Sequence, residues 1–307
     1  MMMRAANGTV GDRYDPSAVA TVFLGDRLDL LKQIPDASAS LVVTSPPYNI
    51  GKKYEKKLAF QDYLAEQKAT LREAVRILKD SGSLCWQVGN HIDGFEILPL
   101  DVAIYPICKD LGLKLRNRII WHFEHGLHCS KRFSGRYETI LWFTRSDKFT
   151  FNLDSVRVPQ KYPGKRAFRG PRKGQLTCNP LGKNPSDVWM IPNVKHNHIE
   201  KTAHPCQFPI ELVERLVLAL TSKDDLVVDP YLGVGSAICA AVLHDRRGAG
   251  SDIVPEYVEE ARLRVVAAFE RRLPRRPLDR PIYKPDPKSR IARRPSEFDD
   301  HHPLRLF

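Results

Sequence analysis

Short apolar runs alternate with longer helical patterns along this 307-residue chain, and that alternation constrains its fold more than any other feature. The apolar runs end in turn-forming residues, which is typical of buried parallel strands. We predict strands at residues 21–24, 41–44, 83–88, 119–121, 139–143, 225–229 and 248–251. The intervening patterns predict helices at residues 28–34, 60–78, 97–111, 210–220, 234–243 and 255–269. This order of strands and helices predicts an α/β fold with a doubly wound, mostly parallel sheet.

The regular pattern stops between residues 145 and 203, where prolines and glycines break every sustained period. An irregular stretch of this length inside a compact enzyme is usually functional. After residue 270 the chain contains seven of its 23 prolines, and we expect this tail to be extended or disordered. The predicted divisions are an N-terminal extension (1–20), two halves of an α/β domain (21–144 and 204–270), an irregular region between them (145–203) and a tail (271–307).

Positive charge is concentrated in two segments of a chain whose net charge is +12. Residues 145–203 contain 12 Lys or Arg against 4 Asp or Glu, and residues 271–307 contain 11 against 5. Basic segments on a near-neutral body are what a polyanion-binding enzyme needs, because neutralising phosphates releases counterions. The alternative is that these basic loops serve solubility alone.

The remaining composition excludes several classes of protein. Hydrophobic residues make up 42% of the chain, which excludes wholesale disorder. No apolar run approaches the roughly 18 residues that a membrane span requires. The N-terminus lacks the apolar core of a signal peptide, so we expect a cytoplasmic protein with no membrane partner. Six scattered cysteines without CxxC spacing argue against a disulfide framework, and we predict no metal site.

A glycine-containing turn, DPYLGVGS at residues 229–236, follows a predicted strand and opens a predicted helix. Glycines let the backbone approach a ligand, and a helix N-terminus offers free N–H groups. Asp252 lies about 20 residues further on, at the spacing of an acidic residue that binds the ribose of an adenosine-containing cofactor. The alternatives are that the glycines only form a tight corner and that Asp252 only caps the next helix.

A second motif, TSPPYN at residues 44–49, also follows a predicted strand. Two consecutive prolines fix two φ angles and remove two N–H groups, so the carbonyl groups there are held rigidly. The Tyr48 ring offers a stacking face, and the Ser45 hydroxyl can accept a hydrogen bond from an amine. The alternative is a surface turn without a function.

Four further segments accompany these motifs: LGD at 24–26, RYETIL at 136–141, HPCQFP at 204–209 and GSDIVPEYV at 250–258. In this combination the motifs resemble those of the amino-methylating DNA methyltransferases. TSPPY precedes the glycine motif, which is the order of the β group of that family. The resemblance covers about residues 21–270. It implies a Rossmann-like methyltransferase fold with permuted motif order, S-adenosylmethionine as the cofactor and double-stranded DNA as the partner.

The resemblance also implies roles for individual residues. Ser45 and the Pro46 carbonyl accept hydrogen bonds from the target amine, and Tyr48 stacks on the flipped base. The catalytic residues are Ser45, Pro46, Pro47 and Tyr48. Asp26 binds the adenine of the cofactor, Asp252 binds its ribose, and His204 and Pro205 bind its methionine end. The other cofactor-binding residues implied are Asp229, Pro230, Tyr231, Gly233, Gly235 and Ser236.

Region 145–203 lies between the catalytic and cofactor halves, where the family has its target-recognition region. Basic side chains with interleaved aromatic rings can bind phosphates or read guanine edges. The candidate DNA-binding residues are Arg157, Lys161, Lys165, Arg166, Arg169, Arg172 and Lys173.

Within the family, Ser at position 45 favours N4 of cytosine as the methylated atom, and N6 of adenine is the alternative. An RNA methyltransferase and an inactive DNA-binding relative are further alternatives. Cys206 resembles the nucleophile of cytosine-C5 methyltransferases, but it precedes the glycine motif, whereas in that family it follows it. The resemblance allows a cognate restriction endonuclease as a partner, and either a monomer or a homodimer.

Overall fold

The computed structural model describes residues 3–5, 8–51, 55, 57–94, 96–126, 128–283, 286 and 289. Its strands are β1 (Met3–Ala5), β2 (Gly8–Gly11), β3 (Ala20–Leu24), β4 (Ala39–Thr44), β5 (Leu78–Val88), β6 (Asn90–Asp93), β7 (Glu96–Pro99), β8 (Lys114–His122), β9 (Tyr137–Thr144), β10 (Val188–Met190), β11 (Leu226–Asp229) and β12 (Arg247–Asp252). Its α-helices are α1 (Arg27–Gln33), α2 (Phe60–Ile77), α3 (Leu100–Asp110), α4 (Ile210–Leu220), α5 (Ser236–Leu243) and α6 (Pro255–Phe269).

Ten of these strands form one sheet in the order β1-β2-β3-β12-β11-β4-β5-β9-β8-β10. The neighbours from β2 to β5 are parallel, as are β8 and β10, whereas β1 with β2 and β9 with both its neighbours are antiparallel. The predicted mostly parallel sheet is therefore confirmed. Strands β4 and β11 are neighbours, so the two motifs that follow them leave the sheet side by side at its carboxyl edge.

Helices cover both faces of the sheet, as the doubly wound prediction requires. Leu41 and Val43 of β4 pack with residues of α4, α5 and α6, whereas Val42 packs with residues of α1, α2 and α3. Successive side chains of a strand point to opposite faces, so a strand buried on both faces reads as a continuous apolar run. Burying each of these aliphatic side chains contributes about 1.5–3 kcal/mol.

Most predicted elements differ from the observed ones by a few residues at an end, and three of these differences have a clear physical reason. The helix predicted at 97–111 begins only at Leu100, because Glu96–Pro99 pairs with β6 as a hairpin strand. Helix α2 ends at Ile77 and β5 begins at Leu78, because Leu78 pairs with Ala39 of the neighbouring strand. Helix α5 begins at Ser236, two residues later than predicted, because Gly235 is left-handed with φ +79°.

The segments outside the two domain halves are more structured than their sequence indicates. The N-terminal extension adds β1 and β2 to the sheet, and the irregular region adds β10, in which Trp189 pairs with Trp121. The described start of the tail, which is predicted to be extended or disordered, has no helix or strand, and its Arg275 and Arg276 pair with Glu214 and Glu211 on α4. Residues 290–307 of that tail lie outside the described residues. No helix in the described part of the chain combines the length and apolarity of a membrane span.

Candidate active site

The two motifs meet although 185 residues separate them in sequence. Thr44, the last residue of β4, donates a hydrogen bond from its Oγ1 to Asp229 Oδ1 over 2.6 Å. Asp229 ends the neighbouring strand β11, and its side chain is fully buried. This contact ties the TSPPYN turn to the glycine turn. Both turns border a cavity of about 500 Å³ at the carboxyl edge of the sheet.

Most of the predicted catalytic and cofactor residues line this cavity. Two do not: Asp229 is buried behind the cavity wall, and Gly235 packs against Ala261 of α6. The predicted residues on the wall are Asp26, Ser45, Pro46, Pro47, Tyr48, His204, Pro205, Pro230, Tyr231, Gly233, Ser236 and Asp252. Sequence patterns predicted no role for several others on the wall, notably Arg27, Gln87, Phe123, Glu138 and Lys195.

Hydrogen bonds connect the catalytic motif to a buried carboxyl group. Ser45 Oγ lies 3.1 Å from the Tyr48 hydroxyl, which donates to Glu138 Oε2 over 3.0 Å. Gln87 Nε2 donates to the same Glu138 oxygen over 2.6 Å. Burial raises the pKa of Glu138, and burial together with the neighbouring carboxylate raises the pKa of Tyr48 well above its usual value. Tyr48 therefore keeps its proton and acts as a donor.

The backbone of the catalytic turn is held from two sides. The Tyr63 hydroxyl of α2 donates to the Pro47 carbonyl over 3.0 Å, and the His91 ring lies 3.2 Å from the Tyr48 carbonyl oxygen. Prolines at positions 46 and 47 cannot donate backbone hydrogen bonds, so side chains from neighbouring elements position this turn.

On the opposite side of the cavity, Asp252 organises the glycine turn. Its Oδ2 accepts the Gly233 N–H over 3.0 Å, and its Oδ1 accepts the Val254 N–H over 2.9 Å. Burial raises the pKa of Asp252. Gly233 has φ +50°, and a Cβ added there would lie 3.3 Å from His204 Nε2. A side chain at Gly233 would therefore narrow the cavity beside His204.

His204 is a neutral ring on the cavity wall. Burial, with Lys201 and Arg264 nearby, lowers its pKa to about 4. Its Nδ1 accepts the Cys206 N–H over 3.2 Å, and its ring meets the Tyr257 ring edge-on at 4.6 Å. The neutral His204 ring adds no positive charge to the cavity, which favours a cationic ligand group over an anionic one.

Arg27 lies on the cavity wall next to Asp26, the residue predicted to bind the adenine of the cofactor. Asp26 caps α1 by accepting the Leu28 N–H over 2.8 Å, and its other oxygen accepts a hydrogen bond from Arg27. The Arg27 guanidinium also lies 5.3 Å from the centre of the Tyr231 ring. The sequence around Arg27 could not predict this contact, because Tyr231 is far away in sequence and reaches Arg27 only in the folded chain.

The basic residues of the irregular region lie on an exposed protrusion, which we call the basic hairpin (residues 158–183). Bridges between Val158 and Lys183 and between Arg166 and Leu176 hold its two sides together. The rings of Tyr162 and Phe168 are exposed on it. The predicted DNA-binding residues that the structure exposes here are Lys161, Lys165, Arg166, Arg169, Arg172 and Lys173.

Arg157 does not join this exposed set. Its Nε donates to Asp154 over 2.6 Å and its Nη1 donates to the Gly182 carbonyl over 3.1 Å. The side chain is 15% exposed, so Arg157 anchors the base of the hairpin instead of projecting from it. The prediction that Arg157 binds DNA therefore concerns a largely buried residue at the base of the hairpin and not one of its exposed cations.

Two other chemistries bear on this edge of the sheet. The thiol-bearing residue Cys206 lines the cavity and is exposed. Within the described ranges, no group of three or more His, Cys, Asp or Glu side chains is arranged to hold a metal ion.

Comparison with known proteins places these motifs in a family context. A family model described as DNA methylase matches residues 39–263. The chain is 46% identical over 241 residues to the Type II methyltransferase M.BglII of Bacillus subtilis, covering 78% of this chain and 67% of that protein. It is 32% identical over 247 residues to the DNA adenine methyltransferase YhdJ of Escherichia coli (strain K12), covering 78% and 80% of the two chains.

Solved structures show the same fold. The PvuII DNA methyltransferase (cytosine-N4-specific) matches with a TM-score of 0.64 and 22% identity, covering 83% of this chain and 92% of that one. A DNA modification methylase of Thermus thermophilus, TTHA0409, solved in complex with S-adenosyl-L-methionine, matches with a TM-score of 0.58 and 28% identity, covering 82% and 93%.

Proposed function

The chain belongs to the N6/N4 DNA methylase family, and from this premise we propose that it transfers the methyl group of S-adenosylmethionine to the exocyclic N4 amine of a cytosine in double-stranded DNA. One observation carries the proposal: a single cavity is lined by Ser45 and Tyr48 on one side and by Gly233 and Asp252 on the other. A base amine and a methyl donor bound at these two sides would share one enclosed space, and such proximity supplies a large part of the rate in a two-substrate reaction.

The residues on the wall fit this cofactor. The cavity volume lies in the range of about 300–1,000 Å³ typical of ligand sites. The Asp252 carboxylate has about four lone pairs and accepts backbone N–H groups of Gly233, Val254 and Ile253, which leaves capacity for a ribose hydroxyl. The neutral His204 ring places no positive charge beside a ligand that carries a positively charged sulfur. When bound, S-adenosylmethionine supplies an electrophilic methyl group on that sulfur.

The residues of the chain supply orientation and hydrogen-bond acceptors. Ser45 and the Pro46 carbonyl would accept hydrogen bonds from the two N–H groups of the target amine. An amine held this way turns its lone pair out of the ring plane and toward the methyl donor. The nitrogen–carbon bond would form as the carbon–sulfur bond breaks, and the amine would release one proton to solvent. The Tyr48 ring would stack on the base once it has left the duplex. This reaction needs neither a covalent intermediate nor a nucleophilic cysteine.

Cytosine N4 is proposed over adenine N6 because position 45 is Ser, where adenine-specific members of the family more often have Asp or Asn. The similarity to YhdJ, which is named as a DNA adenine methyltransferase, favours N6 of adenine as the second candidate. Both candidates use the same cavity and the same acceptors, since each base presents an exocyclic amine.

The DNA itself would bind along the carboxyl edge and the basic hairpin. Exposed cations neutralise phosphates, and the exposed Tyr162 and Phe168 rings can pack against bases. The similarity to M.BglII, named as a Type II methyltransferase, supports a cytoplasmic role beside a restriction endonuclease that reads the same sequence.

Label transfer tests the proposal. The protein is incubated with unmodified genomic DNA and methyl-labelled S-adenosylmethionine, the DNA is digested to nucleosides, and the labelled nucleoside is identified by mass. We expect N4-methylcytosine, and we expect Ser45→Ala to abolish the label while retaining cofactor binding. N6-methyladenine would keep the enzyme class and overturn the base. Cofactor binding without label on DNA would overturn the proposal in favour of an RNA substrate or an inactive DNA-binding protein.

A further inference from the structure

Glu138 accepts a hydrogen bond from the hydroxyl of Tyr48 in the catalytic turn. It is the second residue of β9, opposite Trp121 of β8 and one residue before Thr139, which pairs with Val88 of β5, and it lines the cavity. One oxygen, Oε2, receives both the Gln87 amide at 2.6 Å and the Tyr48 hydroxyl at 3.0 Å. Removing a carboxyl group from water costs free energy unless hydrogen bonds replace the lost solvation, and the two donors at Oε2 provide such hydrogen bonds.

The hydrogen bonds in this group have a defined direction. The Gln87 amide nitrogen only donates, which makes Glu138 Oε2 an acceptor. The Tyr48 hydroxyl remains protonated and donates a hydrogen bond to that same oxygen. The Tyr48 oxygen accepts a long hydrogen bond from Gln87 Nε2 at 3.4 Å, and its second lone pair can accept from Ser45, whose Oγ lies 3.1 Å away. If the Ser45 hydroxyl donates its proton to the Tyr48 oxygen, the Ser45 oxygen can act only as a hydrogen-bond acceptor toward the cavity.

We propose that Glu138 is a positioning residue that, through the Tyr48 hydroxyl, orients the Ser45 hydroxyl so that its lone pairs face the target amine. The inference rests on the proposed function, since it concerns the acceptor for that amine. Without the Glu138 acceptor, the Tyr48 hydroxyl can donate to Ser45 instead. That reversal would occupy one of the two Ser45 lone pairs and would free the Ser45 proton to point toward the target amine, which also donates.

The surroundings keep this chain of hydrogen bonds in one arrangement. A Cβ at Gly89 would lie 2.9 Å from Tyr48 Cε2, so the absence of a side chain there allows the ring to reach Glu138. Among the described residues, three titratable groups face the chain of hydrogen bonds: Lys195 acts electrostatically on Glu138, Tyr63 acts electrostatically on Tyr48, and His91 lies at the Tyr48 carbonyl. None of the three donates to Ser45 in the described hydrogen bonds.

Two substitutions at Glu138 separate orientation from bulk. Glu138→Ala removes the acceptor, and we expect kcat for methyl transfer to fall roughly 10- to 100-fold, the cost of one oriented hydrogen bond to a charged group. The KM for DNA and the Kd for S-adenosylmethionine should change less than about 3-fold, because Glu138 is not expected to contact either bound substrate. Glu138→Gln retains a carbonyl oxygen that can accept from both Gln87 and Tyr48. Its kcat should be at least about tenfold higher than that of Glu138→Ala. Glu96→Ala, at an exposed position on β7, is the control for loss of a carboxylate.

A double-mutant cycle tests whether Glu138 acts through Tyr48. Tyr48→Phe removes only the hydroxyl and keeps the ring, so this variant should fold as the wild type does. If the inference holds, adding Glu138→Ala to Tyr48→Phe lowers kcat by less than about 2-fold further, because the connection is already broken. Independent roles would make the two losses multiply.

Four results would overturn the inference. They are multiplying losses in the cycle, a Glu138→Gln variant as slow as Glu138→Ala, a Glu138→Ala defect confined to KM or cofactor binding, and a Glu138→Ala variant as fast as wild type. In each case wild-type transfer to DNA persists, so the proposed function stands. Wild-type protein that binds S-adenosylmethionine and labels no DNA would instead overturn the proposed function and the inference with it.

Discussion

Asp229 links the two motifs through one side chain. Its Oδ1 accepts both the Thr44 hydroxyl and the Tyr231 N–H, whereas its Oδ2 has no hydrogen-bond partner among the described residues. Burial penalises the charged form and raises the pKa of Asp229 to about 7. The residue thus fixes the relative position of the catalytic and cofactor turns at a cost in stability near neutral pH. A destabilised group at a functional site is a common compromise.

This cost predicts a pH-dependent effect of Asp229→Asn. The folded-state pKa is raised, so the contribution of Asp229 to stability is fully present below about pH 4 and is lost as the pH rises through 7. Asn cannot ionise, so the free energy of unfolding of the variant, relative to wild type, should rise by up to about 4 kcal/mol between pH 4 and pH 8. Urea unfolding at both pH values measures this difference. The same difference at both values would show that Asp229 does not titrate on unfolding.

Tyr48 separates catalysis from cofactor binding. Tyr48→Ala removes the stacking ring and the hydroxyl beside Ser45, so we expect loss of at least about 100-fold in methyl transfer. Cofactor binding should change less than about 3-fold, because Gly233 and Asp252 lie on the other side of the cavity. Calorimetric titration and label transfer measure the two quantities, with exposed Tyr283→Ala as the control. A comparable loss in both would place Tyr48 in the cofactor site.

At the scale of elements, the basic hairpin differs from the rest of the irregular region. Its aromatic side chains are exposed, and two of its cations lie over rings: Lys161 over Tyr162 at 5.4 Å and Arg169 over Phe168 at 5.8 Å. Exposed rings paired with cations suit a polyanion that also presents flat bases. The strand β10, by contrast, is part of the sheet and supports the cavity wall.

The hairpin should account for much of the salt dependence of DNA binding. We expect replacement of Lys165 and Lys173 by Gln to lower the slope of log affinity against log salt by about 2, one for each lost phosphate contact. Replacement of the exposed Lys32 and Lys109, on helices α1 and α3, removes the same charge and is the control. Fluorescence anisotropy at several salt concentrations gives the slopes. Equal slopes for the two double variants would move the phosphate contacts away from the hairpin.

At the scale of the whole molecule, the start of the tail is part of the folded body. Glu211 and Glu214 are 2% exposed, and Arg276 and Arg275 pair with them. Arg215 of α4 similarly pairs with Asp279. These arginines compensate buried acidic groups, so they are not available to DNA in the way that the charge count alone indicates.

Truncations at two points should separate anchoring from charge. Ending the chain after Leu273 leaves Glu211 and Glu214 buried without their arginines, which should lower the free energy of unfolding by at least about 3–5 kcal/mol. Ending it after Tyr283 keeps these pairs, and we expect a change below about 1 kcal/mol. Urea denaturation of the two proteins gives the comparison. Arg271→Gln, which breaks an exposed pair with Asp245, is a control that should cost less than about 1 kcal/mol.

Much of the fold and of the site could be predicted because the signals are local. Apolar periodicity and turn residues define β4, β11 and most of the helices, and the prolines and glycines of both motifs act through their own φ angles. The local pattern does not predict the boundaries at Leu78 and Glu96. Pairing with a neighbouring strand decides where α2 ends and where α3 begins, and that pairing is not contained in the local sequence.

The sequence by itself therefore determined the order of elements, the two turns and the residue types they offer. Only the tertiary structure decided that Thr44 meets Asp229, that Glu138 receives the Tyr48 hydroxyl and that Arg276 covers Glu211. Each of these contacts joins segments at least 65 residues apart. Their existence depends on strand order and on the burial of charged groups, which are properties of the packed sheet and not of any segment of the chain.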